Sequence, residues 1–295
     1  MSLSFGISPA LVTPFTDGGV DVRRLAAHAQ DCMARGCRTA TIFGTTGEGP
    51  SVGSAERDRV AREMISLGVP ADRMVEGVIA CSLEEAAEST SRALRRGADA
   101  VLLAPPFYFR PVPDDTVFEW YASVFDAVGT GIRDVLLYHI PGMTGVPLSH
   151  HVIKRLLERF PRAIRGVKDS AGDSEATFAL IKAFPELEIL VGDERYLGRA
   201  CAAGAAGSIC GVANIVPEAI IDLAKAGGDD PRIVELVDEI TRYPIIPMVK
   251  ALLAHLRQDG VWALARPPLP TMSGRDAARA IELLMRIRQS AEGVV

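Results

Sequence analysis

Short, nearly uninterrupted apolar runs alternate with longer amphipathic stretches from the N-terminus to about residue 225, and this alternation constrains the fold more than any other feature. The runs are Ile7–Thr13, Thr39–Gly44, Met74–Ala80, Ala100–Pro106, Asp134–Pro141, Ile164–Ser170, Glu188–Asp193 and Gly207–Asn214. Most are continuous in Val, Ile, Leu and Ala, which marks parallel strands covered on both faces. Between them Asp21–Arg35, Ser54–Leu67, Leu83–Arg96 and Asp173–Phe184 carry helical periodicity, many opened by Ser or Asp at an N-cap position. Eight β/α units predict an α/β chain folded as one (β/α)8 TIM barrel over residues 1–225. An open doubly wound sheet would want a G-x-G-x-x-G turn after the first strand. The chain instead reads Thr13-Pro14-Phe15-Thr16-Asp17-Gly18-Gly19 there. Past residue 230 the strand signal ends. Pro231–Arg257 and Ser273–Gln289 read as helices joined by the Pro-rich Arg266–Pro270, giving a C-terminal helical extension, residues 226–295, packed on the barrel.

Composition removes several function classes. A net charge of −5 and no Lys/Arg run argue against a nucleic-acid partner. No apolar stretch approaches the roughly 20 residues of a membrane helix. Met1-Ser2-Leu3-Ser4-Phe5 lacks the charged and apolar regions of a secretory signal. The five cysteines are odd in number, scattered and never spaced C-x-x-C, which suits reduced thiols in the cytoplasm. The five histidines show no metal spacing, and the adjacent His150 and His151 point apart on a helix. Nothing in the pattern calls for a metal or an organic cofactor.

In a barrel of this kind chemistry gathers at the C-terminal ends of the strands. One lysine stands there. Of 32 Lys plus Arg only Lys154, Lys168, Lys182, Lys225 and Lys250 are lysines. Lys154, Lys182 and Lys225 fall in helix patterns as solvated cations. Lys250, in Met248-Val249-Lys250-Ala251-Leu252, is also helical and is expected to snorkel its head to water. Lys168 instead interrupts a buried strand at its end, where an ammonium is costly unless paired or neutralised. Two readings fit that position: a structural ion pair with Asp169, Asp193 or Glu194, or an amine that attacks a ketone to form an imine. Arg would serve the first and not the second, so the choice of Lys favours catalysis.

Other strand ends supply partners. Gly44-Thr45-Thr46-Gly47-Glu48 offers hydroxyls and successive amides as a nest for a substrate carboxylate, or a tight turn with solvated threonines. Tyr138, ending Asp134-Val135-Leu136-Leu137-Tyr138, can donate and accept protons in the pocket, or simply pack against a loop. His139 beside it is the histidine nearest the site, with packing its expected role. Tyr108, between Phe107 and Phe109, reads as loop packing or a subunit contact.

Taken in order along the chain, Gly44–Glu48, Tyr138-x-x-Pro141, Gly166-Val167-Lys168-Asp169-Ser170, Gly192-Asp193-Glu194 and Val212-Ala213-Asn214 resemble the dihydrodipicolinate synthase/N-acetylneuraminate lyase family of class I aldolases. The resemblance implies Lys168 as the imine-forming residue, with no cofactor beyond the covalent imine with substrate. Tyr138 would be the proton shuttle and Thr45 the relay. Thr46, Gly47 and their neighbours would bind the carboxylate of a 2-oxo acid such as pyruvate, with the Ile209 carbonyl facing it. By the same resemblance Tyr108 enters a neighbouring subunit's site in a homotetramer built as a dimer of dimers.

The departures shape the expected substrate. Dihydrodipicolinate synthases resembling this chain read Tyr-Asn-x-Pro-x-Arg-Thr, with the Arg gripping the carboxylate of aspartate semialdehyde. Here the stretch is Tyr138-His139-Ile140-Pro141-Gly142-Met143-Thr144, and Met143 cannot supply that charge-assisted contact. Asp193 and Glu194 resemble the residues with which sialic acid lyases hold sugar hydroxyls, although Gly211 stands where those offer a Ser. The segment ending in Ser170 is similar to the branch acting on 2-oxo-3-deoxy sugar acids. The expectation is therefore a lyase that cleaves or condenses a hydroxylated 2-oxo acid to or from pyruvate and an aldehyde. The alternatives are dihydrodipicolinate synthase itself, a dehydratase or deaminase working through the same imine, and a silent paralogue that binds a 2-oxo acid without turnover.

Overall fold

The computed structural model describes residues 3–292. Met1 and Ser2, on which the reading of the N-terminus partly falls, lie outside the described residues, as does the end of the helical extension, Gly293–Val295. All eight expected strands are present: β1 (Gly6–Pro9), β2 (Ala40–Ile42), β3 (Met74–Val78), β4 (Ala100–Leu103), β5 (Val135–His139), β6 (Ile164–Asp169), β7 (Glu188–Val191) and β8 (Gly207–Cys210). From β2 to β8 each pairs in parallel with the next. β8 pairs in parallel with β1, and a parallel bridge between Ala10 and Thr41 joins β1 to β2, closing the (β/α)8 barrel.

Among the described residues eleven α-helices of six residues or more pack outside or beyond the strands. Those following the barrel strands are α1 (Val22–Ala34), α2 (Ser54–Ser66), α3 (Leu83–Arg96), α4 (Asp114–Val128), α5 (His150–Arg159), α6 (Ser174–Ala183), α7 (Leu197–Ala202) and α8 (Pro217–Ala226). The extension supplies α9 (Pro231–Thr241), α10 (Ile245–Arg257) and α11 (Ala278–Glu292). Side chains of Asp21, Ser82, Ser149 and Asp173 accept the amide three residues on and cap their helices, each worth about 1 kcal/mol. Ser54 is no cap. It is the first residue of α2, after an N-cap Gly53 without a side-chain bond.

Boundaries differ from expectation in an informative way. The strand β1 ends at Pro9, with the Ala10–Thr41 bridge one step beyond it, rather than at Thr13, and β8 ends at Cys210 rather than Asn214. Val12, Thr13 and Val212–Asn214 are buried outside the ladder, in loops, so hydrophobicity overstates strand length where a loop is itself interior. The continuous helix expected over Pro231–Arg257 is broken between Thr241 and Ile245, where Pro244 disfavours helical backbone at Tyr243. The last helix begins at Ala278 rather than Ser273.

Two apolar layers follow from the period of two along each strand. Val101, Leu103, Val135, Leu137, Val167 and Ile189 join the cluster that includes the helices. Leu102, Leu136, Tyr138, Leu190 and Ile209 form the second, inside the barrel. The β5–β6 register pairs Leu137 with Val167 and Tyr138 with Lys168. One residue step therefore puts the tyrosine and the lysine side by side at the same level and on the same face of neighbouring strands.

Candidate active site

Lys168 is 4% exposed and its Nζ donates to the Tyr138 hydroxyl at 3.2 Å. The Tyr138 hydroxyl in turn lies 3.0 Å from Thr45 Oγ1. The ammonium position is 4.4 Å from the Tyr138 ring centroid. The structural ion pair weighed for Lys168 does not form, because each of the three carboxylates is engaged elsewhere. Asp169 accepts from Thr177 Oγ1 at 2.6 Å and the Ala171 amide at 3.0 Å, and lies 3.2 Å from His139 Nδ1. Burial raises the Asp169 pKa, but the contacts with His139, Thr177 and Ala171 outweigh it, and the net shift is downward. Asp193 accepts from the Arg195 guanidinium at 2.6 Å and from the Arg195 amide at 3.0 Å. Glu194, buried, accepts the Val212 amide at 2.9 Å, and desolvation pushes its carboxyl above the usual range.

A cavity of about 340 Å³ opens onto these groups. It brings together Thr45, Thr46, Tyr138, Met143, Lys168, Ser170, Asp193, Glu194 and Ile209 from seven different strand ends and loops. Two expected residues stand apart. Gly47 is buried behind the lining, where a Cβ would sit 2.8 Å from the Leu11 carbonyl oxygen and 2.9 Å from the Phe43 nitrogen. Its glycine is thus required by packing of the turn. Tyr108 is 75% exposed, stacks edge-on against Phe109 at 5.2 Å, and does not reach the cavity of its own chain.

The Gly44–Glu48 turn leaves the amides of Thr45, Thr46 and Gly47 without a protein acceptor among the described residues, while the Glu48 and Gly49 amides close back on Thr45 and Gly44 at 3.0 and 3.1 Å. Three successive unpaired amides, two on the cavity-lining Thr45 and Thr46 and the third on Gly47 behind the lining, have the arrangement of an anion nest. Across the barrel, Gly192 lets the ends of β6 and β7 approach, since a Cβ there would lie 2.0 Å from Ser170 Oγ. Asn214 ties the loop after β8 to that after β1, donating to the Ala10 carbonyl at 2.8 Å and accepting from the Val12 amide at 3.2 Å.

Several lining residues escaped the sequence reading. Val237, Ile240 and Thr241 of α9 and Ile246 and Val249 of α10 form one wall, as does Arg195 after β7. The apolar ones sit at helical spacing that is indistinguishable from ordinary core. Only Arg195, directly after Gly192-Asp193-Glu194, carried a signal. Lys250 corrects a further expectation: it does not snorkel but is fully buried, donating to the Thr13 carbonyl at 2.8 Å and paired with Glu48.

The Dihydrodipicolinate synthetase family matches residues 3–283. The chain belongs to that family. It is accordingly a carbon–carbon lyase. An uncharacterized DapA-like lyase of Chloroflexus aurantiacus is 34% identical over 283 residues, covering 92% of this chain and 94% of that protein. The crystal structure of dihydrodipicolinate synthase from Agrobacterium tumefaciens superposes with a TM-score of 0.93 at 43% identity, over 96% of this chain and 99% of that one. The chloride-inhibited dihydrodipicolinate synthase of Acinetobacter baumannii, solved with pyruvate, gives a TM-score of 0.83 at 29% identity, over 96% and 98%. Among the described residues no helix is long and apolar enough to cross a membrane.

Proposed function

We propose that the chain is a class I aldolase in which Lys168 forms an imine with the carbonyl of a 2-oxo acid, reversibly cleaving a hydroxylated 2-oxo acid to pyruvate and an aldehyde. The observation that carries this reading is the line Thr45–Tyr138–Lys168, linked at 3.0 and 3.2 Å inside the cavity. The amine adds to C2 and water leaves. The C4 hydroxyl then gives its proton through Tyr138 and Thr45 as the C3–C4 bond breaks, and its electron pair moves into the iminium. The resulting enamine takes a proton at C3, and water releases pyruvate and the free lysine. The Thr45–Gly47 amides hold the carboxylate throughout, and no step draws on a metal or an organic cofactor.

Asp193, Glu194 and Thr241 line the same cavity and suit a hydroxylated partner of the 2-oxo-3-deoxy sugar acid kind. Borohydride reduction in the presence of pyruvate, followed by peptide mapping, is expected to label Lys168; an unlabelled Lys168 sinks the mechanism. Release of pyruvate from a panel of 2-oxo-3-deoxy sugar acids tests the substrate class, and a protein that is labelled but turns over nothing is the silent paralogue.

A second reading, 4-hydroxy-tetrahydrodipicolinate synthase, draws on the 43% identity to an enzyme of that description. Met143 at the cavity rim opposes it, and a coupled assay with aspartate semialdehyde decides. We further propose a cytoplasmic homotetramer, in which the exposed Tyr108 and Phe109 of one subunit meet a second copy; sedimentation of a monomer would remove that part.

A further inference from the structure

The proposed chemistry leaves one buried cation unused. Lys250 has no exposed surface, does not line the cavity, and forms with Glu48 an ion pair whose two side chains are both fully buried. Its ammonium also donates to the Thr13 carbonyl at 2.8 Å and lies 4.7 Å from the centroid of the Phe15 ring. The second carboxylate oxygen of Glu48 accepts the Arg266 amide at 2.9 Å. Two of the three ammonium hydrogens and both carboxylate oxygens are thus engaged by the protein. A buried pair of this kind contributes little net stability compared with apolar side chains of the same volume, and its best-attested use is to fix one arrangement over others.

What it fixes is legible from position. Glu48 directly follows the three free amides and holds a left-handed backbone, φ 54°, a conformation that is uncommon for non-glycine residues. Thr13, whose carbonyl Lys250 grips, donates its hydroxyl to the Gly47 carbonyl at 2.6 Å. Lys250 therefore reaches the nest from both sides, directly at Glu48 and through Thr13 at Gly47. On the helix itself, the preceding residue Val249 lines the cavity. A Cβ built on Gly211 would lie 3.8 Å from Val249 and 3.9 Å from Thr46, so the same turn of α10 faces Thr46 across one small gap.

We propose that Lys250 and Glu48 are a positioning pair, through which helix α10 of the C-terminal extension sets the Thr45–Gly47 amides for the substrate carboxylate. This rests on the reading of those amides as the carboxylate site. Neither residue touches substrate. Their contribution is to 2-oxo acid affinity, delivered through the loop.

The test uses the full chain and pyruvate, with two readouts. Isothermal titration measures affinity whether or not an imine forms, and borohydride trapping measures the adduct at Lys168. The variants are Lys250→Met, Glu48→Gln and the double variant carrying both, which leaves no charge in the buried site. Lys250→Met is expected to raise the pyruvate Kd and the half-saturating concentration for trapping by ~10-fold or more, with the adduct at saturation nearly unchanged. The double variant discriminates. If the pair only balances charge, removing both charges restores parental affinity, and that result overturns the proposal. The expected result is a double variant that melts cooperatively near the parent yet still binds pyruvate ~10-fold more weakly. Should Lys250→Met fail to fold, Glu48→Gln alone keeps the shape and one acceptor and is expected to weaken pyruvate by ~3-fold; unchanged affinity there also overturns it. Binding without an adduct refutes the imine and not the pair, whereas no binding by the parent refutes both.

Discussion

At the floor of the cavity Tyr138, Lys168 and Ile209 stand on barrel strands and are almost fully buried, whereas at the rim Met143 is 58% exposed and Ile245 42%. Each floor group is held by a second one: Lys168 by Tyr138, Tyr138 by Thr45, the nest by Glu48 and Lys250. The rim is made of the one-turn helix Pro141–Thr144, the start of α10 and the loop after β7 that carries Arg195. Its one cation, Arg195, is already matched by Asp193 and Asp238 at 2.6 and 3.0 Å. On the reading proposed above, the floor receives one small anion with a carbonyl beside it. The rim carries no free cation among the described residues lining it, which on the proposed reading leaves shape and hydrogen bonds to Asp193, Glu194 and Thr241 to select the partner. A family that shares chemistry and varies substrate is expected to keep the first region and rebuild the second.

The sharpest way to break the contrast is at the floor. Tyr138→Phe keeps the ring beside Lys168 and removes only the hydroxyl that bridges it to Thr45. Cleavage is expected to fall by ~10²–10⁴-fold in kcat, the usual span for a positioned acid–base group, with a much smaller change in pyruvate KM. Steady-state kinetics on whichever sugar acid is turned over checks this. A loss confined to KM would make Tyr138 a binding residue and detach the floor from proton transfer.

The support behind the floor titrates. His28 is buried, its Nε2 3.1 Å from Asn214 Oδ1 and its Nδ1 3.1 Å from Arg257 Nη2. Desolvation, opposed by the Asn214 contact and aided by Arg257, lowers its pKa to about 4. In the unfolded chain an imidazole titrates near 6.5. Between those values the unfolded state takes up a proton that the folded state refuses, so stability falls as pH falls from about 6.5 to 4. The loss is roughly 3 kcal/mol over that window. Urea midpoints measured across it for the parent and His28→Gln are expected to converge at low pH; parallel curves would show that His28 does not titrate in this way.

The floor was largely legible in the sequence, and of the rim only Met143, Asp193 and Glu194 were, for a physical reason. Lys168 and Tyr138 announce themselves because a polar group ending a buried strand is rare and needs an explanation. The glycines and threonines of Gly44–Glu48 do so because a strand must end in a turn. Val237, Ile240, Ile246 and Val249 obey the same periodicity whether they face a core or a cavity, and only packing tells which. The Glu48–Lys250 pair was hidden differently. Its members lie 202 positions apart, and a helical lysine with apolar neighbours has a ready surface explanation that only the closed barrel removes. Tyr108 was legible as an aromatic in a loop, but its own chain offers it no cavity.

A change at the rim sharpens the comparison from the other side. Met143→Arg places a guanidinium on the turn after Tyr138, where the chain has an exposed thioether. Condensation with the carboxylated aspartate semialdehyde is expected to gain ~10-fold in kcat/KM, through a charge-assisted contact at a partly exposed position. Pyruvate trapping at Lys168 should not move. A parallel change in both would mean that floor and rim are not separable.

The smallest effect tests where the two regions meet. Gly211 lines the cavity next to Thr46, and its backbone, φ −75° and ψ −40°, is one that any residue adopts. An added Cβ would meet nothing nearer than Val249 Cγ2 at 3.8 Å, so Gly211→Ala is free of strain and clash. Restricting the unfolded chain should then stabilise the protein by ~0.4–1 kcal/mol, read as a higher urea midpoint at unchanged m. The methyl also fills part of the gap between Val249 and Thr46. If that gap admits the carboxylate, KM for the 2-oxo acid rises a few-fold while kcat holds, because only ground-state and transition-state binding are reduced together. A stabilised variant with unaltered KM would place the carboxylate away from Thr46 and confine the floor to Tyr138, Lys168 and Thr45.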